Sequence, residues 1–131
     1  MKIVTRQQFG QMPKGTVFCK FPLRNVGDGE RMMFGIDTPH ILYDKIFDDD
    51  GNFIDFFCVE LGWSMTPKEE GVDNFESLFY LRDHPGESIP FEHNIERDGM
   101  YDDDNVGFAI FSKEEVEEMV GMLQESLKTA Y

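Results

Sequence analysis

The clearest pattern of hydrophobic and polar positions lies at the end of the chain. Apolar residues recur there at steps of three and four, which is the spacing of one face of an α-helix. Ser112 precedes the run, and Glu115 lies three residues after Ser112, as in a capping box. The pattern predicts a helix over about 113–129. Its apolar stripe consists of Val116, Met119, Val120, Leu123 and Leu127.

The first half of the chain has the apolar runs of β-structure. Thr16–Phe21 is predicted to be a strand that Pro22 ends. A clear hairpin joins residues 41–47 to residues 53–61 through the turn 48–52. The second arm of this hairpin is apolar on both faces, which is typical of a central strand. A helical turn is expected over 6–12, and a further strand over 31–36 after a reversal at 27–29.

The pattern is weakest between residues 62 and 105. Thr66 and Pro67 have the form of a helix start, with Thr as the cap and Pro in the first turn. Residues 74–82 fit either a helical turn or a strand, and a short strand is expected near 89–92. Together the elements predict a single α+β domain over residues 1–131. In that domain an antiparallel sheet carries the C-terminal helix (about 113–129) packed on one face.

Charge is distributed unevenly along the chain. The 131 residues include 26 Asp and Glu against 12 Lys and Arg, so the net charge is −14. Every acidic residue lies beyond position 27. Such a balance argues against direct binding of nucleic acid and favours a basic protein surface as the partner. The basic residues of the acid-free N-terminal segment are Lys2, Arg6, Lys14, Lys20 and Arg24.

Composition also bears on folding and location. Hydrophobic residues make up 40% of the chain and aromatic residues 14%, which excludes a disordered acidic tail. No apolar run has the length of a signal peptide or of a membrane span. Cys19 and Cys58 are each flanked by bulky apolar residues, so we expect two reduced, buried thiols. These features predict a cytoplasmic protein with no membrane partner.

Two acidic runs are the candidates for a metal site. Asp48, Asp50 and Asn52 stand where an EF-hand loop has its first three ligands. Phe53 replaces the required Gly, and Glu60 comes one residue too late to be the bidentate ligand. A solvated hairpin turn is therefore the favoured interpretation of residues 48–52. If the second run, Asp102–Asp104, met the first in space, the carboxylates could hold Mg²⁺ or Mn²⁺ for hydrolysis.

Other catalytic chemistry has little support in the sequence. His40, His84 and His93 lack the spacing of a zinc site and are expected to be surface or capping residues. No serine lies in a Gly-x-Ser-x-Gly elbow, and no glycine-rich phosphate loop is complete. We therefore assign no catalytic, cofactor-binding or metal-ligating residue, expect no cofactor, and consider an enzyme the less favoured class.

The opening of the chain carries a family resemblance. Ile3–Arg6 leads to Phe9, and Met12–Phe18 contains a Pro-x-Gly-Thr segment. This opening resembles small uncharacterised accessory proteins encoded by bacteriophages and prophages, which also end in a charged helix. The resemblance implies a phage or prophage origin and an accessory role in the cytoplasm of the host cell. It implies no functional residues.

These observations predict an acidic, non-enzymatic protein-binding module that blocks or modulates a host or phage factor. One version is capture of a nucleic-acid-binding protein by charge mimicry. The alternatives are a metal-dependent hydrolase that uses the Asp runs, and a structural or self-assembling protein, including a homodimer. Trp63 is either a core residue or an interface anchor. The predicted contact residues are Asp48, Asp49, Asp50, Asp102, Asp103, Asp104, Glu114, Glu117, Glu118 and Trp63.

Overall fold

The computed structural model describes residues 1–22, 38–62, 65–99 and 106–131. A larger sheet contains β1 (Lys2–Val4), β2 (Val17–Pro22), β3 (His40–Phe47), β4 (Phe53–Glu60), β7 (Glu96–Arg97) and β8 (Val106–Ile110). A separate pair contains β5 (Met65–Pro67) and β6 (Phe91–His93). The helices are α1 (Arg6–Phe9), α2 (Asn74–Asp83) and α3 (Lys113–Ala130).

The larger sheet is antiparallel throughout, with the strand order β1-β8-β2-β3-β4-β7. Its longest strands form the hairpin β3–β4, in which Leu42 pairs with Cys58 and a bulge follows at Tyr43. The turn closes through the Asp48 amide, which donates to the Asn52 carbonyl at 2.9 Å. Gly51 supplies the positive φ of 82° that this turn requires. The predicted hairpin is confirmed, and β4 is an inner strand as expected.

The core lies on one face of this sheet and is built mainly from phenylalanine. Phe9, on α1, stacks on Phe108 of β8 with the ring centroids 3.9 Å apart. Phe18 and Phe56 complete the cluster, at 4.7 Å and 5.1 Å from Phe9. All four rings are inaccessible or nearly so. The short helix α1 therefore serves to place one ring against three strands.

The C-terminal helix begins where the sequence predicts. The Ser112 hydroxyl accepts from the Glu115 amide, and the Glu115 carboxylate accepts from the Ser112 amide, so the capping box is formed. The N-terminal amine of Met1 also pairs with Glu115. These contacts anchor the first turn of α3 beside β1 and the end of β8.

The α+β prediction of an antiparallel sheet with a C-terminal helix is confirmed, and the stripe of α3 is partly covered near the start of the helix. No residue of α3 is buried, and the stripe becomes more exposed towards the end of the helix. In the part of the chain that the structure describes, one face of the sheet is filled by the phenylalanine rings and the contacts given above hold the first turn of α3, so most of its stripe is exposed.

In the middle of the chain, the predicted helix start at residues 66–67 is wrong. Thr66 and Pro67 do not start a helix, because they lie in β5, opposite Glu92 and Phe91 of β6. Residues 74–82, which the sequence left open, are helical. The Asp73 side chain caps this helix by accepting from the Glu76 amide at 2.9 Å. The strand predicted over 31–36 and the reversal at 27–29 lie outside the described residues.

Candidate functional site

A polar pocket occupies the end of the sheet face that also carries the core. Side chains two residues apart on a strand share a face, so Cys58 and Glu60 follow Phe56, and Lys20 follows Phe18. The pocket has a volume of about 280 Å³. Its lining residues are Lys20, His40, Cys58, Glu60, Glu96, Arg97 and Asp98.

One ion pair spans the pocket. The ammonium group of Lys20 lies 2.8 Å from a carboxylate oxygen of Asp98, whose side chain is 10% exposed. Lys20 belongs to β2 and Asp98 follows β7, and two strands separate these in the sheet. The contact therefore requires a strongly curved sheet, and the pocket is its concave side.

His40 is a buried residue of this pocket and not the surface or capping residue that the sequence predicts. It is 5% exposed, and its ring lies 5.1 Å from that of Phe18. Its Nδ1 is 2.6 Å from the carbonyl of Thr38, and its Nε2 is 3.3 Å from a carboxylate oxygen of Glu60. Both ring nitrogens thus face oxygen acceptors, so the ring is fixed in position.

Cys58 has the wrong electrostatics for a nucleophile. Burial raises the pKa of its thiol to about 12, and the carboxylates of Asp98 and Glu60 add to the rise. The thiolate is therefore negligible at neutral pH. Within the described ranges, no three His, Cys, Asp or Glu side chains are grouped so that they could hold a metal ion. This pocket has polar residues but lacks an activated nucleophile.

The first acidic run forms the turn of the hairpin. The Asp48 carboxylate accepts from the amides of Asp50 and Asn52 and from the side-chain amide of Asn52. Hydrogen bonding, chiefly from the Asn52 amide, lowers the pKa of Asp48. This agrees with the turn favoured from the sequence, and it leaves Asp49 and Asp50 in solvent.

The remaining predicted contact residues are scattered. Glu114, Glu117 and Glu118 are exposed on α3. Asp102–Asp104 and Trp63 lie outside the described residues. The structure therefore does not unite the ten predicted positions in one site, because those that it describes belong to a β-turn and to a separate helix.

An apolar groove lies beside α2 and the small sheet. It is an open depression of about 610 Å³. Phe75 and Leu78 of α2 form one side, and Met65 of β5 and Phe91 of β6 form another. Gly62, Asn74 and Ile89 complete the lining. Phe75 is 67% exposed, so its ring stands at the rim of the groove and is largely in water.

Helix α2 buries a polar residue and exposes apolar residues, which is the reverse of the usual arrangement in a surface helix. Its one buried residue is Ser77, whose hydroxyl donates to the Asp73 carbonyl at 2.9 Å. Phe79 and Tyr80 are about half exposed, like Leu78 beside them. Most exposed surface helices instead turn polar residues to water, and contiguous exposed apolar surface marks interaction sites.

The surroundings of the groove are acidic. Residues 65–99 contain nine Asp and Glu against three Lys and Arg, a net charge of −6. Two of the three cations are already paired, Arg82 with Asp83 and Arg97 with Asp55. The groove thus combines an apolar floor with an acidic border. This border consists of Asp73, Glu76 and Glu92, which are exposed and directly adjoin the lining residues Asn74, Phe75 and Phe91 in the chain.

Sequence reasoning missed both the groove and the pocket. The groove could have been suspected from Asp73 and Glu76, whose spacing of three signals a helix start. A helix that starts there places Phe75 and Leu78, which are three residues apart, on one face. The pocket had no such signal, because Lys20, His40 and Asp98 meet only through the curvature of the sheet.

No protein-family model, curated protein or solved structure matches this chain. Among the described residues, no helix is long and apolar enough to cross a membrane.

Proposed function

We propose that this chain is a small acidic protein-binding module whose partner presents apolar side chains within a basic surface. The observation that supports this proposal is the groove beside α2, where exposed aromatic and aliphatic side chains lie next to an acidic border. We extend the proposal to an accessory role, of phage or prophage type, in which the module blocks or modulates the factor that it binds.

The chemistry of the groove supports a partner with both apolar and basic side chains. Phe75, Leu78 and Met65 offer contact surface to apolar anchors, and aromatic residues dominate the energetics of protein contacts. The acidic border favours Lys and Arg beside those anchors and disfavours acidic surfaces. A helix with one apolar face and basic flanks has both features, and such helices commonly bind in grooves.

The polar pocket supports a catalytic role less well. Nucleophilic catalysis by a cysteine requires its thiolate, and the pKa of the Cys58 thiol, about 12, lies far above neutrality. His40 is held between the Thr38 carbonyl and the Glu60 carboxylate, and Lys20 is paired with Asp98. These contacts connect β2, β3, β4 and β7, so we assign the pocket a structural role.

The test uses an amphipathic helical peptide of about 14 residues, built from Leu and Lys, with a fluorescent label. We expect it to bind the full chain, as measured by fluorescence anisotropy, and to bind less tightly as salt rises. The matched peptide, with Glu in place of every Lys, should not bind. Equal binding of the two peptides would contradict the proposed partner, and so would no binding of either.

Two matched variants locate the site. Phe75→Gln with Leu78→Gln should weaken peptide binding by about tenfold or more. The control, Val120→Gln with Leu123→Gln, removes exposed apolar side chains from α3 and should leave the affinity unchanged. Because Gln is a good helix former, circular dichroism should show both variants folded. A peptide that binds the groove variant as tightly as the original chain would exclude this site.

Charge mimicry is a second candidate, favoured by one observation on α3. Glu114, Glu118 and Glu125 fall within about 40° of one another around the helix and form an exposed row of carboxylates. A duplex-binding protein captured by this row should be displaced by duplex DNA and by salt of about 0.5 M. Replacement of all three by Gln should abolish the capture, while the groove variant should retain it.

A further inference from the structure

The last helix presents an apolar stripe that the described residues of its own chain do not cover. Leu123 is 67% exposed and Leu127 is 62% exposed, and Val120 is about half exposed. Only Val116 and Met119, near the anchored first turn, are partly covered. The stripe thus forms an exposed ridge along most of the helix. Free-standing helices are marginal in water, and most helices in proteins depend on packing of such a face.

The charges of α3 are arranged so that the stripe can approach a similar surface. Glu114, Glu118 and Glu125 lie two residues from Val116 or Leu123, which places them about 200° around the helix, on the far side. One edge of the stripe carries Met119 and Ser126, and the carboxylate at the start of this edge, that of Glu115, is paired with the N-terminal amine. The carboxylates of this row are therefore directed away from the contact, and the more distant charges of the chain are screened in part at physiological salt.

The other edge of the stripe has complementary charges. It carries Lys113, Glu117 and Lys128, and Lys113 lies 3.7 Å from Glu117 in an exposed pair. Two copies paired antiparallel, with the two-fold axis between Val120 and Leu123, bring Val116 opposite Leu127 of the second copy. Glu117 then lies close to Lys128 of the second copy. The antiparallel arrangement also opposes the two helix dipoles favourably.

We infer that the stripe of α3 is the contact surface for a second copy of this chain, in an antiparallel two-helix pair. The helix has 18 residues and so is about 27 Å long. A pair of this length buries an area near the lower limit for a specific interface, about 1,000 Å² in total. The dimer should accordingly be weak and reversible, with a dissociation constant on the order of 10 µM.

Sedimentation equilibrium of the full chain tests the inference. Between about 5 and 500 µM we expect a monomer–dimer equilibrium that strengthens with salt, because the two copies carry the same net charge. Leu123→Gln with Leu127→Gln should weaken the dimer at least about thirtyfold. The matched control is Met122→Gln, which removes an exposed apolar side chain (60% exposed) from the same helix but off the stripe. It should leave the dimer intact.

A strict monomer throughout the concentration range would overturn the inference. A dimer that forms equally well with Leu123→Gln and Leu127→Gln would also overturn it. Circular dichroism checks that the variant keeps its helix. A spin label at Thr129→Cys reports the orientation, since antiparallel copies hold the two labels more than about 20 Å apart. Cys19 and Cys58 are buried and do not compete for the label. A short distance between labels would overturn the antiparallel arrangement.

Discussion

The sheet and the two longer helices of this chain place their apolar residues in opposite ways. On the sheet, four phenylalanine rings are enclosed and even a carboxylate, that of Asp55, is almost inaccessible. On α2 the buried residue is a serine, and on α3 no residue is buried. The fold therefore gains its stability mainly from the sheet and α1. The apolar residues of the two helices remain available for contacts with other molecules.

The largest expected effect is the difference in stability between a variant that lacks a ring of the core and a variant that lacks a ring of the groove. Phe9→Ala removes a ring that contacts Phe18, Phe56 and Phe108, so it should lower the free energy of unfolding by about 3–5 kcal/mol. The same change at Phe75 should cost less than about 1 kcal/mol, because that ring is mostly in water already. Urea unfolding measures both. Equal costs would contradict the division between sheet and helices.

A smaller effect should separate two aspartates. The Asp55 carboxylate accepts from the amides of Phe56 and Gly99 and pairs with Arg97. Asp55→Ala leaves these donors without their acceptor and should lower the free energy of unfolding by about 2 kcal/mol. The control is Asp83→Ala, which breaks an exposed pair with Arg82 and should cost less than about 0.5 kcal/mol. If Asp55→Ala left the free energy of unfolding unchanged, this buried carboxylate would not contribute to the stability of the fold.

The smallest expected effect is the part of the stability loss at low pH that comes from the first turn of α3. Hydrogen bonding to the N-terminal amine, and then to the Ser112 amide, lowers the pKa of Glu115 from 4.5. A lowered carboxyl pKa stabilises the fold above the unfolded value, and this contribution is lost as the pH falls through the folded value. The melting temperature should thus decline below about pH 4.5. In Glu115→Gln the decline should be slightly shallower, whereas Glu118→Gln, on the outer face, should change it less. Identical slopes would contradict this role of Glu115.

Local signals predicted those parts of the fold that depend on local interactions. The turn 48–52 and the cap at Ser112 are made by residues within four positions of each other, so both could be identified from the sequence. Pro67 was misjudged because its partner, Phe91, is 24 residues away and determines that the segment is a strand. The stripe of α3 was identified correctly, but a periodic pattern shows only that a face is apolar. It does not show what covers that face.

The candidate sites were harder to predict than the elements that form them. His40 is a lone histidine in the sequence, and it becomes part of a pocket only because the bend of the sheet brings Lys20 and Asp98 across it. The groove depends on α2 lying beside the pair β5–β6, which is another contact between distant segments. Such long-range contacts leave no periodic signal in a single sequence.

The edges of the larger sheet have a consequence for how other molecules can attach. In the part of the chain that the structure describes, the sheet ends in β1, of three residues, and β7, of two residues that are both charged. Short, charged edges offer few unpaired backbone groups to a foreign strand. Strand addition, and the cross-β aggregation that begins from it, is therefore disfavoured at the concentrations at which the proposed pairing through α3 would be tested.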